Sequence, residues 1–371
     1  MSEKGESGLA FRLGPFPVHM PWSSLLGIVL ISYFWLDYFR YDPYDQGQAY
    51  LLTAVFGVLF YATILGHELA HAVVAQASGF PVSGITLWWL GGFTAFRRTK
   101  ASPLRDGLIA VAGPLSSIAI GLLCAAVARA TYDGDPRVHV VAYALAWSNV
   151  FLGIYNALPG LPLDGGNVLR AVVWGISGKE STGTVVAGWA GRVVAVVVVA
   201  LPLWDVFRRG GTPDVLALVF TISIGIVLWQ GASHAIKGAR VSGRVPGLSA
   251  RRLARPAAVV APETPLAEAL RQAGLVQAQR LVMVGPDGRP LGIASPASVD
   301  AVPVERRPWV PVSSVSAAFD ARAVLSADLT GNDLLAAMNA VPSELYLVVE
   351  AAGGAPRVLA TSDVEHALTG G

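Results

Sequence analysis

Charged residues are scarce in this chain: 14% of its 371 residues are Asp, Glu, Lys or Arg, while 53% are hydrophobic and the mean hydropathy is +0.54. So few charges exclude an ordinary soluble protein. The net charge of +2 without a basic stripe argues against nucleic acid as a partner. A single cysteine, Cys124, excludes an internal disulfide. The first residues lack the pattern of a removable signal peptide, so we expect none.

Long apolar runs are abundant, and six of them reach the length of about 20 residues that crosses a bilayer. The Lys and Arg residues between these runs are biased toward one side, which predicts a multi-pass protein of the cell membrane with both termini in the cytoplasm. The lipid bilayer is therefore an expected partner. The six segments are 22 to 39, 50 to 77, 107 to 129, 138 to 158, 184 to 205 and 214 to 236.

The second apolar segment contains three ionisable residues, His67, Glu68 and His71. On a helix, His67 and His71 share a face, so two neutral imidazoles can hold one Zn²⁺ while the adjacent Glu68 serves as general base. Ionisable groups within a membrane segment are costly and usually functional. The pattern therefore predicts a catalytic metal inside the membrane.

A catalytic zinc needs a third protein ligand, and Asp164 at the end of the fourth apolar segment is the candidate. The prolines around it break the helix, and the two glycines that follow let the chain turn beside the carboxylate. If this segment ends in the cytoplasm, Asp164 reaches the same membrane level as His71. The alternative is that Asp164 only caps the helix that follows it.

Residues 81–96, between the second and third apolar segments, have a β-like pattern that predicts a hairpin or a sheet edge. Such backbone at membrane depth is tolerated only beside protein or a water-filled cavity, so we expect it to border the metal site. An unpaired edge there would bind a substrate as an added strand. The alternative is a re-entrant loop that only plugs the bundle.

From about Arg244 the pattern changes to a Pro- and Arg-containing linker and then to a soluble α/β domain. This domain contains a weak twofold repeat, with a helix before the strands 280–284 and 345–349 and a further strand after each. The predicted divisions are a cytoplasmic segment (1–21), a transmembrane domain (22–238), a linker (239–255) and two modules (about 256–311 and 312–371).

The HExxH motif, together with Asn156 and the later Asp164-Gly165 pair, resembles the site-2 protease family of intramembrane zinc metalloproteases, peptidase family M50. The C-terminal repeat resembles a pair of cystathionine-β-synthase (CBS) modules. The resemblance implies a polytopic α-helical membrane protein with about six transmembrane helices, a short membrane-embedded β hairpin or sheet, and a soluble α/β CBS-pair domain. It also implies one Zn²⁺ per chain, held by His67, His71 and Asp164, with Glu68 as the catalytic base.

The resemblance assigns further roles near this site. Asn156 is expected to position the substrate or stabilise the oxyanion. Many family members have an asparagine after the Gly-Pro of the third helix, whereas this chain has Ser116 and Ser117, either of which is an expected substitute. The substrate-facing edge is expected at Gly91, Gly92 and Phe93.

The implied substrates are single-span membrane proteins, such as anti-sigma factors, which are cut within or near their transmembrane segments. A CBS pair implies regulation and a homodimer formed through the pair. Adenine-nucleotide binding is also implied, but each module departs from the usual Ser/Thr and Asp pair. The first has Ser295 with Ser298, and the second has Ala360 with Asp363.

Two other functions fit part of the sequence. One is a channel or transporter gated by the CBS pair, and the other is a non-proteolytic receptor with a structural metal site. Neither requires Glu68, and structural zinc sites are normally closed by four protein ligands. Arg192, within the fifth apolar segment, is expected to form an ion pair or face water, with gating or partner contact as the alternative.

Overall fold

The computed structural model describes residues 7–40, 44–89, 91–99, 101–209, 215–350 and 355–369. The chain divides into two compact units, residues 1–239 and 240–371. The helices that begin in the first unit are α1 (Ser23–Phe39), α2 (Gln46–Ala77), α3 (Pro103–Ala130), α4 (Pro136–Asn156), α5 (Asp164–Ser177), α6 (Glu180–Arg209) and α7 (Val215–Arg244).

Polar caps begin three of the long helices. The side chain of Asp45 accepts a hydrogen bond from the backbone N–H of Gln48 at the start of α2, and Ser102 does the same at the start of α3. Asp135 caps α4. Proline is the first residue of both α3 and α4, where its missing N–H costs nothing.

Five helices in the described part of the chain, α2, α3, α4, α6 and α7, are long and apolar enough to cross a membrane. This confirms the prediction of a multi-pass membrane protein. The first predicted segment forms α1, which has 17 residues and extends about 26 Å at about 1.5 Å per residue. The hydrocarbon core is about 30 Å thick, so the sixth span stays a prediction.

A four-stranded sheet accompanies these helices, with strands β1 (Gly8–Leu13), β2 (Phe16–Pro21), β3 (Val82–Trp88) and β4 (Gly91–Phe96) in that order. The antiparallel β3–β4 pair confirms the predicted hairpin. The first two strands were not predicted, and they extend the hairpin because β2 runs parallel to β3. The sequence signal for β2 was the alternation of apolar Phe16 and Val18, both of which are buried. Residues 1–6 of the predicted N-terminal segment lie outside the described residues.

The backbones of α3 and α4 pack closely against each other at two glycines. A Cβ added at Gly153 would lie 2.9 Å from the carbonyl oxygen of Pro114, and one added at Gly121 would lie 2.9 Å from the backbone N of Val150. Only glycine permits the two helix backbones to approach this closely.

The second unit has the topology that the sequence repeat predicts. Its elements are α8 (Ala250–Leu253), β5 (Arg255–Val260), α9 (Leu266–Leu275), β6 (Arg280–Val284), β7 (Pro290–Ala294), α10 (Pro296–Asp300), β8 (Ser316–Ala318), β9 (Val324–Ser326), α11 (Gly331–Ala340), β10 (Leu345–Val349), β11 (Arg357–Ala360) and α12 (Thr361–Thr369). Strand β5 pairs in parallel with β6, which pairs antiparallel with β7, and β9, β10 and β11 repeat this arrangement. One seven-stranded sheet has the order β8-β7-β6-β5-β11-β10-β9.

Part of the segment predicted as a linker belongs to the core of this unit. Leu248, Ala250 and Ala254 are buried in one apolar cluster with Leu334 and Leu359. Burial of this kind supplies most of the stability of a small soluble domain. The structure therefore places folded chain within residues 239–255.

Candidate active site and metal centre

Helix α2 carries three buried ionisable side chains, and His67, Glu68 and His71 are only 4%, 6% and 7% exposed. The helical spacing of four residues brings the two imidazoles together, with their Nε2 atoms 3.2 Å apart. The motif predicted from sequence therefore forms on one helix face. Such burial within an apolar helix is costly unless the groups have partners.

Asp164 supplies the third converging atom. Its Oδ2 lies 3.1 Å from Nε2 of His67 and 3.3 Å from Nε2 of His71. Asp164 is the first residue of α5, and the N-cap position is occupied by Leu163. The alternative that Asp164 only caps this helix is therefore wrong.

The loop before Asp164 is held against α6 by backbone contacts. The N–H of Leu161 donates a hydrogen bond to the carbonyl of Ala187 at 3.0 Å. A Cβ added at Gly160 would lie 2.6 Å from Cα of Gly191, so the two backbones touch. The loop is fixed by main-chain packing, and this fixes where α5 starts.

The three ligand atoms fit a zinc ion in both chemistry and spacing. Two imidazole nitrogens and a carboxylate oxygen are ligands that catalytic zinc sites use. Atoms bound to a tetrahedral zinc at about 2.0–2.1 Å are roughly 3.3 Å from one another, and the observed separations are 3.1, 3.2 and 3.3 Å. His67, His71 and Asp164 are thus the group of possible metal ligands found in the described residues.

The other ring nitrogens are engaged by α3. Nδ1 of His71 donates to the carbonyl oxygen of Ile109 at 2.7 Å, and Nδ1 of His67 lies 2.9 Å from Oγ of Ser117. Such contacts fix the ring orientation and leave Nε2 available to a metal. Of the two serines that sequence analysis singled out, Ser117 contacts a histidine, whereas Ser116 donates to the carbonyl of Gly113.

Strand β4 packs directly on Glu68. The hydroxyl of Thr94 lies 2.8 Å from Oε2 of Glu68, and a Cβ added at Gly92 would lie 2.6 Å from Cγ of Glu68. Sequence reasoning placed Gly92 near the substrate but missed Thr94. The register that pairs Thr94 with Ile85 places its side chain here, and no local pattern reveals that register.

One cavity of about 590 Å³ joins the three candidate ligands to the other predicted site residues. Asn156, the last residue of α4, lines this cavity, and its Nδ2 donates to the carbonyl of Leu152 at 3.1 Å. Gly91, Gly92 and Phe93 line it from β4, and 53% of Phe93 is exposed. All eight predicted site residues therefore border one space.

A group of charged residues that the sequence did not point to lies at the same cavity. Asp106, only 5% exposed, accepts hydrogen bonds from Arg98 and from Arg170, the latter at 3.1 Å. Arg98 also donates to Glu180. Asp106 and Arg170 line the cavity. The one feature of the sequence that could have indicated this group is Asp106, an aspartate at the start of the third apolar segment.

The contacts of Arg192 differ from the expected ion pair, and the expectation that it faces water stays a prediction. Its guanidinium carbon lies 4.6 Å from the ring centroid of Trp189 and 5.0 Å from that of Trp229. Its Nη2 donates to Oγ of Ser233 at 3.1 Å. In the described part of the chain, cation–π contacts and a hydroxyl therefore take the place of the expected ion pair, and they lower the cost of a charge in the membrane.

A buried glutamate and two histidines on a helix that can span a membrane, together with an aspartate from the start of α5, define the class of a membrane-embedded metallohydrolase. Comparison with known proteins makes the class more specific. The model of the family described as Peptidase family M50 matches residues 55–136 and 133–201. A putative zinc metalloprotease, sll0528 of Synechocystis, is 29% identical over 313 residues, which is 81% of this chain and 79% of that protein.

The putative zinc metalloprotease Rip3 of Mycobacterium tuberculosis is 38% identical over 214 residues, and the match covers 56% of this chain and 54% of Rip3. A solved structure, the site-2 protease from Methanocaldococcus jannaschii, aligns with a TM-score of 0.44 at 22% identity, over 62% of this chain and 95% of that one. Residues 55–201 of this chain thus resemble peptidase family M50, and the named relatives indicate an enzyme of the zinc metalloprotease class.

Proposed function

We propose that this protein is an intramembrane protease that uses one Zn²⁺ held by His67, His71 and Asp164. The observation that carries the proposal is the convergence of Nε2, Nε2 and Oδ2 within 3.3 Å of one another, although Asp164 is 93 residues from His71 in sequence. Such convergence on apolar helices is costly unless it serves a metal or a reaction.

Bound zinc would polarise a peptide carbonyl and lower the pKa of its water to about 7. Glu68 would take a proton from the attacking water and then donate it to the leaving amine. The hydroxyl of Thr94, 2.8 Å from Oε2 of Glu68, would hold that carboxylate toward the cavity. The burial of Glu68 at 6% exposure would keep bulk water from competing for the proton.

The substrate would be a single-span membrane protein whose helix unwinds locally, because the hydrogen bonds of a helix hide its peptide bonds. The outer edge of β4 has no neighbouring strand in the described sheet, so an extended segment could pair with it beside Glu68. Gly91, Gly92 and Phe93 would contact that segment, and the Asn156 amide would bind its carbonyl oxygen or stabilise the oxyanion.

We also propose that the protein lies in the cell membrane with both termini in the cytoplasm. The CBS pair would regulate cleavage and form a homodimer. Two features of the second module disfavour adenine nucleotide as the ligand of the pair. The Asp363 carboxylate is already paired with Arg255 at 3.0 Å, and Ala360 offers no hydroxyl.

The test is cleavage of a panel of single-span membrane substrates by the purified full chain and by Glu68→Gln, with zinc measured in both. We expect about one zinc in each protein and a loss of cleavage of about 10²- to 10⁴-fold in the variant. Equal cleavage by the variant, or absence of zinc from the wild type, would overturn the proposal. A receptor or a CBS-gated channel would then be the better account.

A further inference from the structure

The cavity at the metal centre has two chemically different ends, both reached from α2. On the side of the N-terminus of α2, its lining includes Phe60 and Ile64. Apolar residues of α7 that include Phe220 also line the cavity. Phe60 precedes His67 by seven residues, or about 10 Å along the helix. This end is apolar and suits side chains from a transmembrane segment.

The other end of the cavity is polar and contains Asp106, Asn167 and Arg170. This polar end lies near the C-terminus of α2. The evidence is that the Thr99 hydroxyl, next to Arg98 in sequence, donates to the carbonyl of Gly79, just after α2 ends. Arg98 itself donates to Asp106. The polar end therefore lies on the opposite side of the histidines from Phe60.

Two polar atoms at this end have no hydrogen-bond partner among the described residues. Oδ1 of Asp106 and Nε of Arg170 are both buried and without a hydrogen bond, although Asp106 Oδ2 binds Arg98 and Arg170. Unmade hydrogen bonds on buried charged groups are expensive. One atom accepts and the other donates, so together they match a ligand that offers both a donor and an acceptor.

We propose that Asp106 and Arg170 form a subsite for an uncharged polar side chain of the substrate, a carboxamide such as glutamine, and so set where the substrate is cut. The inference rests on the proposed protease function and deepens it. The charges of Asp106 and Glu180 balance those of Arg98 and Arg170, so the subsite has no net charge to attract an ion of either sign. The scissile bond then lies where an apolar stretch gives way to polar residues.

The position of the subsite predicts which substrate residue binds there. Arg170 follows Asp164 by six residues on α5, which is about 9 Å along the helix axis. An extended strand advances about 3.3 Å per residue. The carboxamide is therefore expected roughly three residues from the scissile bond, on the side away from the apolar stretch.

The test scans a single glutamine through successive positions on the polar side of the cut in a single-span substrate that the wild type cleaves. We expect kcat/KM to be about ten-fold higher with glutamine near the third residue than with leucine there, with the cut site fixed by mass spectrometry. A flat profile would overturn the inference even if every substrate is cleaved. If no substrate is cleaved, the proposed protease function fails as well.

Variants assign the preference to these residues. Arg170→Gln should retain zinc and should bring the ratio of kcat/KM for the glutamine and leucine substrates to about one, and Arg170→Lys should restore part of that ratio. Arg105→Gln, an exposed residue next to Asp106, is the matched control and should behave as wild type. A glutamine preference that persists in Arg170→Gln would contradict the assignment to Arg170.

Discussion

The two units of this protein differ in where they bury polar groups. All the buried polar or charged side chains among the described residues belong to the first unit, although it is the one rich in apolar helices. More than half of them lie around the candidate metal centre. These are His67, Glu68, His71, Asp106 and Ser117.

The second unit instead has no fully buried charged residue among those described, although Nε of Arg280 and Oδ2 of Asp363 are buried atoms. Arg251, for example, is half exposed and pairs with Asp328 and Glu350, as expected for a domain that folds around an apolar core. The difference teaches that exposed charges in the soluble unit say little about function, whereas buried polar groups in the membrane unit point to the site. Substitutions of the same type in the two units test this contrast.

The largest contrast is expected between two histidine substitutions. His71→Ala should remove a metal ligand, so that zinc falls well below one per chain and cleavage is lost. His366→Ala, on the exposed surface of α12, should change neither. Zinc analysis and cleavage by the two purified variants check this. Full zinc in His71→Ala would break the contrast.

A glycine pair should give the next largest difference. Gly92→Ala would place a Cβ 2.6 Å from Cγ of Glu68, so we expect Glu68 to move and cleavage to fall by about 10²-fold with zinc retained. Gly274→Ala, at a helical position with open space around it, should be neutral or slightly stabilising. Cleavage rates and thermal unfolding distinguish the two. Unchanged cleavage in Gly92→Ala would contradict the proposed position of Glu68.

Ser117→Ala tests the hydrogen-bond partner of a metal-binding histidine. Removing the hydroxyl that lies 2.9 Å from Nδ1 of His67 should weaken zinc binding by about 10- to 100-fold. Ser362→Ala, on the exposed surface of the second unit, is the control. Competition with a zinc chelator measures the affinity, and equal affinities would exclude a role for Ser117 in holding the metal.

The smallest effect is expected at Thr94. Thr94→Ala should lower kcat by about ten-fold because Glu68 loses its hydroxyl partner, while Thr94→Ser should retain most of the activity. Single-turnover cleavage with zinc measured in parallel is the appropriate assay. Equal loss in both variants would indicate that packing of the Thr94 methyl group, and not its hydrogen bond, is what matters.

Local patterns account for the parts of the site that could be predicted. The four-residue spacing of His67 and His71 fixes a shared helix face, and the alternation in residues 81–96 indicates the hairpin. Asp164 could be proposed because prolines and glycines mark where its helix breaks. These inferences depend on residues that are close in sequence.

The parts that were missed depend on tertiary contacts. The place of Thr94 beside Glu68 follows from the strand register, and the contact between Asp106 and Arg170 joins α3 to α5 across 64 residues. The N-terminal strands are short and begin in a polar segment, so their alternation was weak. Of the two environments expected for Arg192, the ion pair is replaced by contacts with two tryptophan rings, which also stabilise a cation in an apolar setting.

The most direct measurement of the central claim is the zinc content of the purified full chain beside that of Asp164→Ala, with Asp133→Ala as an exposed control. If zinc is held jointly by α2 and the start of α5, the wild type and the control should carry about one zinc per chain, and Asp164→Ala should carry almost none. Full zinc in folded Asp164→Ala would contradict the proposed metal centre.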